Sequence, residues 1–247
     1  TASLVGAAFA QFGISPLVNF VVVMALATLA SNLVFFKYIP AERRHKGTPE
    51  KSSRVVLPSC AVSMLVLFSL SAMLVEGSSI DWSIIFMREE FETFPLIEGL
   101  ALVCAALSQA VIRYFADSLV ERFGPRYVAT VSVVGMGLGL ALVSFSVSPA
   151  MAIVGFLLMG GGSAVIFPLA MSAAAGRDDR PSEENVAALA QFAFATFLIA
   201  PPLLGIISEH YGLRIAFAIA LPFILLSFFK RTVMPTKLIN EASQIGS

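Results

Sequence analysis

Between Tyr127 and Gly176 the chain carries no charged side chain. As one α-helix that run would be about 75 Å long, more than twice the roughly 30 Å hydrocarbon core of a bilayer. It has to fold back on itself. Ser146-Val147-Ser148-Pro149 supplies the reversal, because Pro149 lacks a backbone donor and interrupts a helix. The run therefore predicts two consecutive membrane spans. Composition agrees: 57% of the residues are hydrophobic and 13% charged, against about one-half and one-quarter in soluble domains.

The rest of the chain threads the same way. Further spans are expected at about 15–36, 55–75, 94–112, 185–208 and 213–229, each apolar without strict alternation. That pattern suits helices rather than the ~10-residue alternating strands of an outer-membrane barrel. The expected fold is all-α, a polytopic bundle of seven transmembrane helices. Its connectors lie at 37–54, 77–93, 113–126, 177–184 and 209–212, with a tail from Lys230. The first apolar stretch, 4–12, is too short to cross and reads as the end of a span that begins elsewhere. No signal peptide is recognisable after Thr1, and the chain has the look of a fragment.

This threading sorts the sixteen Lys and Arg residues fourteen to two, with only Arg88 and Arg214 on the poorer side. Cations are retained on the cytoplasmic side, so the basic connector and the tail are expected there, in a multi-pass protein of the inner or plasma membrane. Net charge is zero, which gives no reason to expect a nucleic-acid partner. The partners in view are the lipid bilayer and a small-molecule solute. Cys60 and Cys104 sit in apolar runs and read as small buried thiols.

Several residues carry candidate chemistry. Glu76 is expected at the outer end of its span, where a lumen-facing, partly desolvated carboxylate could exchange a proton, or else simply reach headgroup water. Asp81 reads as solvated. Gln109 and Arg113, at the inner end of the next span, either face a pathway or mark its interface. Gly160, Gly161 and Gly162 either let helices approach closely or let the span bend. Pro168, Pro201 and Pro202 are static kinks or breaks beside a transport route. Trp82 fits an interfacial anchor. No H-E-x-x-H, G-x-S-x-G or P-loop occurs, and His45 and His210 fall in aqueous segments. No catalytic residue, metal site or cofactor is expected. All five lysines lie outside the spans, which excludes a retinal-binding receptor.

Four segments carry a family resemblance. The connector from Arg113 to Arg126 holds Asp117, Arg122, Gly124 and Arg126 at short spacing. A long basic connector occupies 37–54. Ala200-Pro201-Pro202-Leu203-Leu204-Gly205 lies in the sixth span, and Glu76-Gly77-Ser78-Ser79-Ile80-Asp81-Trp82-Ser83 follows the second. Together they resemble the major facilitator superfamily, in a bacterial sugar-permease-like branch. The match is to helix six and the complete C-terminal half of a twelve-helix transporter. Ile112, Ala116 and Ala200 stand where that family commonly has glycine.

The resemblance implies a domain order. Residues 1–36 would be the end of helix five and helix six of the N-terminal half, and 37–54 the cytoplasmic central loop. Residues 55–232 would form the C-terminal six-helix domain, and 233–247 a cytoplasmic tail. It also implies a secondary transporter working by alternating access with proton coupling, partnered by the missing N-terminal half. Asp117, Arg122, Gly124 and Arg126 would close the cytoplasmic gate. A seven-helix receptor or binding protein without transport is the alternative.

Overall fold

The computed structural model describes residues 16–38 and 56–236. Residues 1–15, most of the basic connector and the tail beyond Thr236 lie outside the described residues. The structure is helical, with no strand among the described residues. Two compact units divide at Arg54 and Val55. The first contributes α1, Pro16–Tyr38, a 23-residue apolar helix. Thr28 and Asn32 return their side-chain hydrogen bonds to carbonyls one turn earlier, at 2.8 Å each.

The second unit holds α2 (Cys60–Phe91), α3 (Pro95–Phe123), α4 (Pro125–Ser144), α5 (Pro149–Ser163), α6 (Ile166–Ala175), α7 (Ser182–Tyr211), α8 (Leu213–Ala218) and α9 (Ala220–Lys230). A 3₁₀ turn follows at Arg231–Val233. Since α5–α6 and α8–α9 are each one interrupted helix, the unit contains six helices long and apolar enough to cross a membrane. They alternate in direction, giving two ends. One end gathers Arg122, Arg126, Arg177, Arg180, Lys230 and Arg231, and the other has Arg88 and Arg214. These are the cation-rich and the cation-poor end.

Two expectations from sequence are corrected here. The loop at 77–93 does not exist, because α2 continues without a break to Phe91 and spans 32 residues. Likewise the connector at 113–126 is helical through Phe123, and α3 runs 29 residues. Both errors come from ending a span at its first charge. Nothing between Val75 and Phe91 or between Ile112 and Phe123 breaks a helix, whereas Glu92 in the left-handed region and Gly124 at φ 83° do. Glu76 and Arg113 thereby move from the ends of spans to their middles, and Arg113 belongs to neither cation count. Cys60 is also exposed rather than buried.

The reversal at 145–148 falls as expected: Ser148 caps α5 by accepting from the Met151 amide, and Pro149 takes the first helical position. The core consists of α2, α4 and α5–α6, while α3 and α7 are mostly exposed. Close approach of backbones positions the helices. A side chain at Gly160 would begin 2.1 Å from the Ala105 carbonyl oxygen on α3, and one at Gly162 would begin 2.5 Å from the Met136 amide on α4. The intervening Gly161 has only ordinary contacts, at 3.6–3.8 Å. Ser108 fastens the same α3–α5 contact by donating to the Leu157 carbonyl at 2.7 Å.

Candidate functional site

Glu76 is the seventeenth residue of α2, about 22–24 Å of helix from either end. Arg113 lies about 27 Å from the start of α3 and about 15 Å from its finish. The two meet at mid-depth. Arg113 Nη2 donates to Oε1 and Oε2 of Glu76 at 3.1 and 3.2 Å. Ionised side chains far from water are costly, and a carboxylate facing a guanidinium offsets that cost only when both are well hydrogen-bonded.

A third partner completes the arrangement. The Arg113 Nε donates to the Ala164 carbonyl at 3.1 Å. Ala164 and Val165 form the interruption between α5 and α6. Its cause is in the sequence: Pro168 has no amide hydrogen to give the carbonyl four residues earlier, which is that of Ala164. The next amide, Leu169, bonds normally to the Val165 carbonyl at 3.0 Å. Arg113 thus replaces the donor that Pro168 removes. The reach is physically sensible. Arg113 lies about 12 Å along α3 beyond Ala105, and Ala164 about 6 Å beyond Gly160. An arginine side chain, leaning toward its helix N-terminus, spans the difference.

Exposure within the site is uneven. The side chain of Arg113 is 45% exposed and that of Glu76 only 12%. Among the described residues, Arg113 Nη1 has no hydrogen bond. Gln109, half-buried, sits one turn before Arg113 on α3. Asp81 is exposed and helical, a turn and a half beyond Glu76. The spans α4, α5–α6, α7 and α8–α9 carry charges only in their terminal turns. Three aromatic rings form a chain on α6 and α7. Phe167 of α6 and Phe194 of α7 meet edge to face at 5.8 Å, and Phe194 lies 6.4 Å from Phe197. The Phe197 ring comes within 3.5 Å of where a side chain at Gly77, the residue after Glu76 in α2, would begin.

The remaining expected residues occupy other places. Gly124 and Arg126 lie at the cation-rich end against the chain after α9. Arg126 donates to the carbonyls of Met234 and Thr232 at 3.0 Å each. A side chain at Gly124 would begin 2.8 Å from the Thr236 carbonyl oxygen. Arg122 lies over the Phe123 ring at 5.3 Å, and Asp117 is exposed and joins none of the ion pairs among the described residues. The structure therefore does not bring Asp117 to Arg122 or Arg126. Pro201 and Pro202 lie within a continuous α7. Gly160, Gly161 and Gly162 remain helical, and the interruption comes after Ser163.

Both ends are fastened. At the cation-rich end Ser59 caps α2 and donates to Asp179 in the loop before α7. The Asn185 side chain also donates to Asp179. The Ser59 hydroxyl, with smaller help from Asn185, holds the Asp179 carboxyl below the usual aspartate range. At the cation-poor end Arg88 pairs with Glu98 at 2.9 Å and Arg214 with Glu90 at 2.6 Å. Arg214 also donates to the Ser146 carbonyl.

Sequence reasoning named Glu76 and Arg113 separately but missed that they pair, and missed the Ala164 carbonyl altogether. A signal for the latter was available, since Pro168 marks the orphaned acceptor by its four-residue spacing. No comparable signal foretold the three phenylalanines.

Comparison with known proteins gives a consistent result. Residues 64–244 match the family model of the Major Facilitator Superfamily. An uncharacterized transporter of Sinorhizobium fredii is 30% identical over 165 residues, covering 67% of this chain and 44% of that protein. An uncharacterized MFS-type transporter of Yersinia pestis is 26% identical over 209 residues, covering 83% of this chain and 52% of that protein. A Rhizobium meliloti protein named membrane protein MosC is 25% identical over 157 residues, covering 64% and 39% respectively. The chain thus spans about half the length of the relatives it matches.

Proposed function

This chain belongs to the major facilitator superfamily and is part of a multi-pass membrane transporter, and from that premise we propose that Glu76 and Arg113 are its proton-coupling centre. The protein would be a secondary carrier, not an enzyme. A small solute would cross by alternating access between this six-helix unit and a second half. One observation carries the reading. The charged pair at mid-depth is also the clamp on a broken helix, because Arg113 holds both Glu76 and the Ala164 carbonyl. Protonating Glu76 removes half of that clamp's charge and frees Arg113 to change partners. A local protonation is thereby tied to the junction of α5 and α6, a natural two-state element.

The cation-rich end is assigned to the cytoplasm by the positive-inside rule. Gly124 and Arg126, which hold the chain after α9, would then form the inner seal, with Asp117 and Arg122 positioned to meet the opposite half when that face closes. The glycines Gly160 and Gly162 would act as fixed packing points beside the moving junction. Whether the carrier serves uptake or efflux follows from whether the proton moves with the solute or against it.

The test uses the carrier that contains this chain, reconstituted in liposomes enclosing a pH-sensitive dye. Small organic acids, amines and sugars are added in turn under an imposed pH gradient. At least one solute should drive proton movement, and Glu76→Gln should abolish that movement while solute exchange continues. Proton flux in Glu76→Gln equal to that of the unaltered carrier would remove Glu76 from coupling. A protein that binds solutes without moving them would be the receptor-like alternative.

A further inference from the structure

We propose that Asp117 is the second partner of Arg113: when Glu76 takes up a proton, the guanidinium leaves it and swings along α3 to the Asp117 carboxylate. This deepens the carrier reading above and rests on it. The helix itself supplies the placement. Asp117 is four residues beyond Arg113 in the unbroken α3, so it lies about 6 Å along the axis and about 40° around it. Side chains at that spacing share a face, and opposite charges there can pair. The Arg113 side chain leans toward the start of α3, where it meets Glu76 and the Ala164 carbonyl. A change of rotamer turns it the other way, toward Asp117 and the cation-rich end.

Few other groups could take that place. Away from the terminal turns, the charged residues of the six-helix unit are Glu76 and Asp81 on α2 and Arg113 and Asp117 on α3. The spans α4, α5–α6, α7 and α8–α9 bring none to this level. Asp81 is five residues beyond Glu76, about 140° around α2, so the two carboxylates face different ways. Asp117 is thus the carboxylate that shares a face with Arg113.

Charge balance sets the direction. With Glu76 ionised, one guanidinium faces two carboxylates; a proton taken from solution by Glu76 leaves Arg113 and Asp117 as a neutral pair. A lone guanidinium at mid-depth is costly, so Arg113 needs a carboxylate in both states. Its Nε and Nη2 belong to one planar group, so the swing that leaves Glu76 also strips the Ala164 carbonyl of its donor. The α5–α6 junction is then free to rearrange. The exchange belongs to the state in which the inner face is open, when Asp117 is not engaged by the opposite half.

The carrier that contains this chain is purified and melted in detergent at neutral pH as a double-mutant cycle. Glu76→Gln leaves Arg113 its Asp117, and Asp117→Asn leaves it Glu76, so each alone should cost little. Together they strand the cation, and the loss should exceed the sum of the single losses by about 3 °C or more. Adding Arg113→Gln to that pair should raise the melting temperature again, a gain that misfolding does not produce. Asp81→Asn in place of Asp117→Asn should give an additive result. A flux measurement separates exchange from mere charge compensation. Asp117→Asn should lower the pH at which proton-coupled flux is half-maximal by about one unit, because a protonated Glu76 would then leave Arg113 unpaired. Asp117→Glu should restore the profile, and Asp81→Asn should not move it. The proposal is overturned if the Glu76→Gln and Asp117→Asn losses add, if Arg113→Gln fails to rescue the pair, or if Asp117→Asn leaves the pH profile in place. The two readings fail differently. Additive melts, with proton flux that Glu76→Gln abolishes, would keep the carrier and remove the exchange. Non-additive melts in a protein that moves no proton would keep Asp117 as the second partner and remove the carrier.

Discussion

Helices α2 and α3 are joined twice by the same two residue types, with roles exchanged. At mid-depth α2 supplies Glu76 and α3 supplies Arg113; at the cation-poor end α2 supplies Arg88 and α3 supplies Glu98. Distances barely differ, at 3.1 and 2.9 Å. What differs is the surroundings. Arg88 is 60% exposed and lies one turn from the end of its helix, within reach of headgroup water. Arg88 can trade its partner for water there, while the Glu98 carboxylate is only 5% exposed, so that link fastens α2 to α3 near their ends. Arg113 instead bridges a carboxylate and an orphaned carbonyl where nothing else donates. On the proposed reading, similar bonds would act as a fastener at one depth and as a switch at the other.

The comparison breaks most sharply by removing one arginine at a time. Arg113→Ala should lower proton-coupled flux about 100-fold, equivalent to about 2.7 kcal/mol at roughly 1.36 kcal/mol per decade. Arg88→Ala should change it less than about twofold, because Arg88 lies far from the α5–α6 junction, although the buried Glu98 left without its cation should lower the melting temperature. Equal losses in the two variants would erase the distinction. Next in size is packing beside the switch. Gly160→Ala places a methyl group into the Ala105 backbone and should destabilise the protein by about 1–3 kcal/mol, while Gly161→Ala should be nearly neutral. Thermal melting of the two variants measures that contrast directly.

Pro168→Ala probes the third partner. It returns an amide hydrogen to the Ala164 carbonyl, so α5 and α6 can join and Arg113 loses one acceptor. Flux should fall about tenfold while the melting temperature holds or rises. A variant with unchanged flux would show that the broken helix is incidental.

The smallest expected effect is at the cation-rich end. Asp179 is depressed below its ordinary value of 3.8 by the Ser59 hydroxyl. Its link to the α2 cap is therefore fully present above that value and is lost as pH falls through the lower folded value. Asp179→Asn should remove this acid-side dependence and leave flux at neutral pH within about twofold, as befits an exposed link. Melting curves between pH 7 and pH 3 report it.

Six of the seven expected spans and the reversal at Ser146–Pro149 were legible in the sequence because lipid demands long apolar helices and proline punctuates them. The lengths of α2 and α3 were not. A charge inside an apolar run looks like an end when read alone, and only the partner on another helix shows it to be interior. Glu76 and Arg113 are 37 residues apart, and no local pattern links them. The same holds for the seat of Phe197 beside Gly77, which depends on how two helices pack. Gly124 was legible as a signature residue, but its contact with Thr236 required the chain's return after α9.

The central claim is that this mid-depth node lies on a path open in turn to both faces of the membrane. Gln109, one turn from Arg113, reports it most directly. In the carrier with all its native cysteines, Cys60 and Cys104 among them, changed to serine, Gln109→Cys is exposed to a membrane-impermeant thiol reagent from one face and then from the other. The account expects labelling from both faces, and labelling confined to a single face would contradict it.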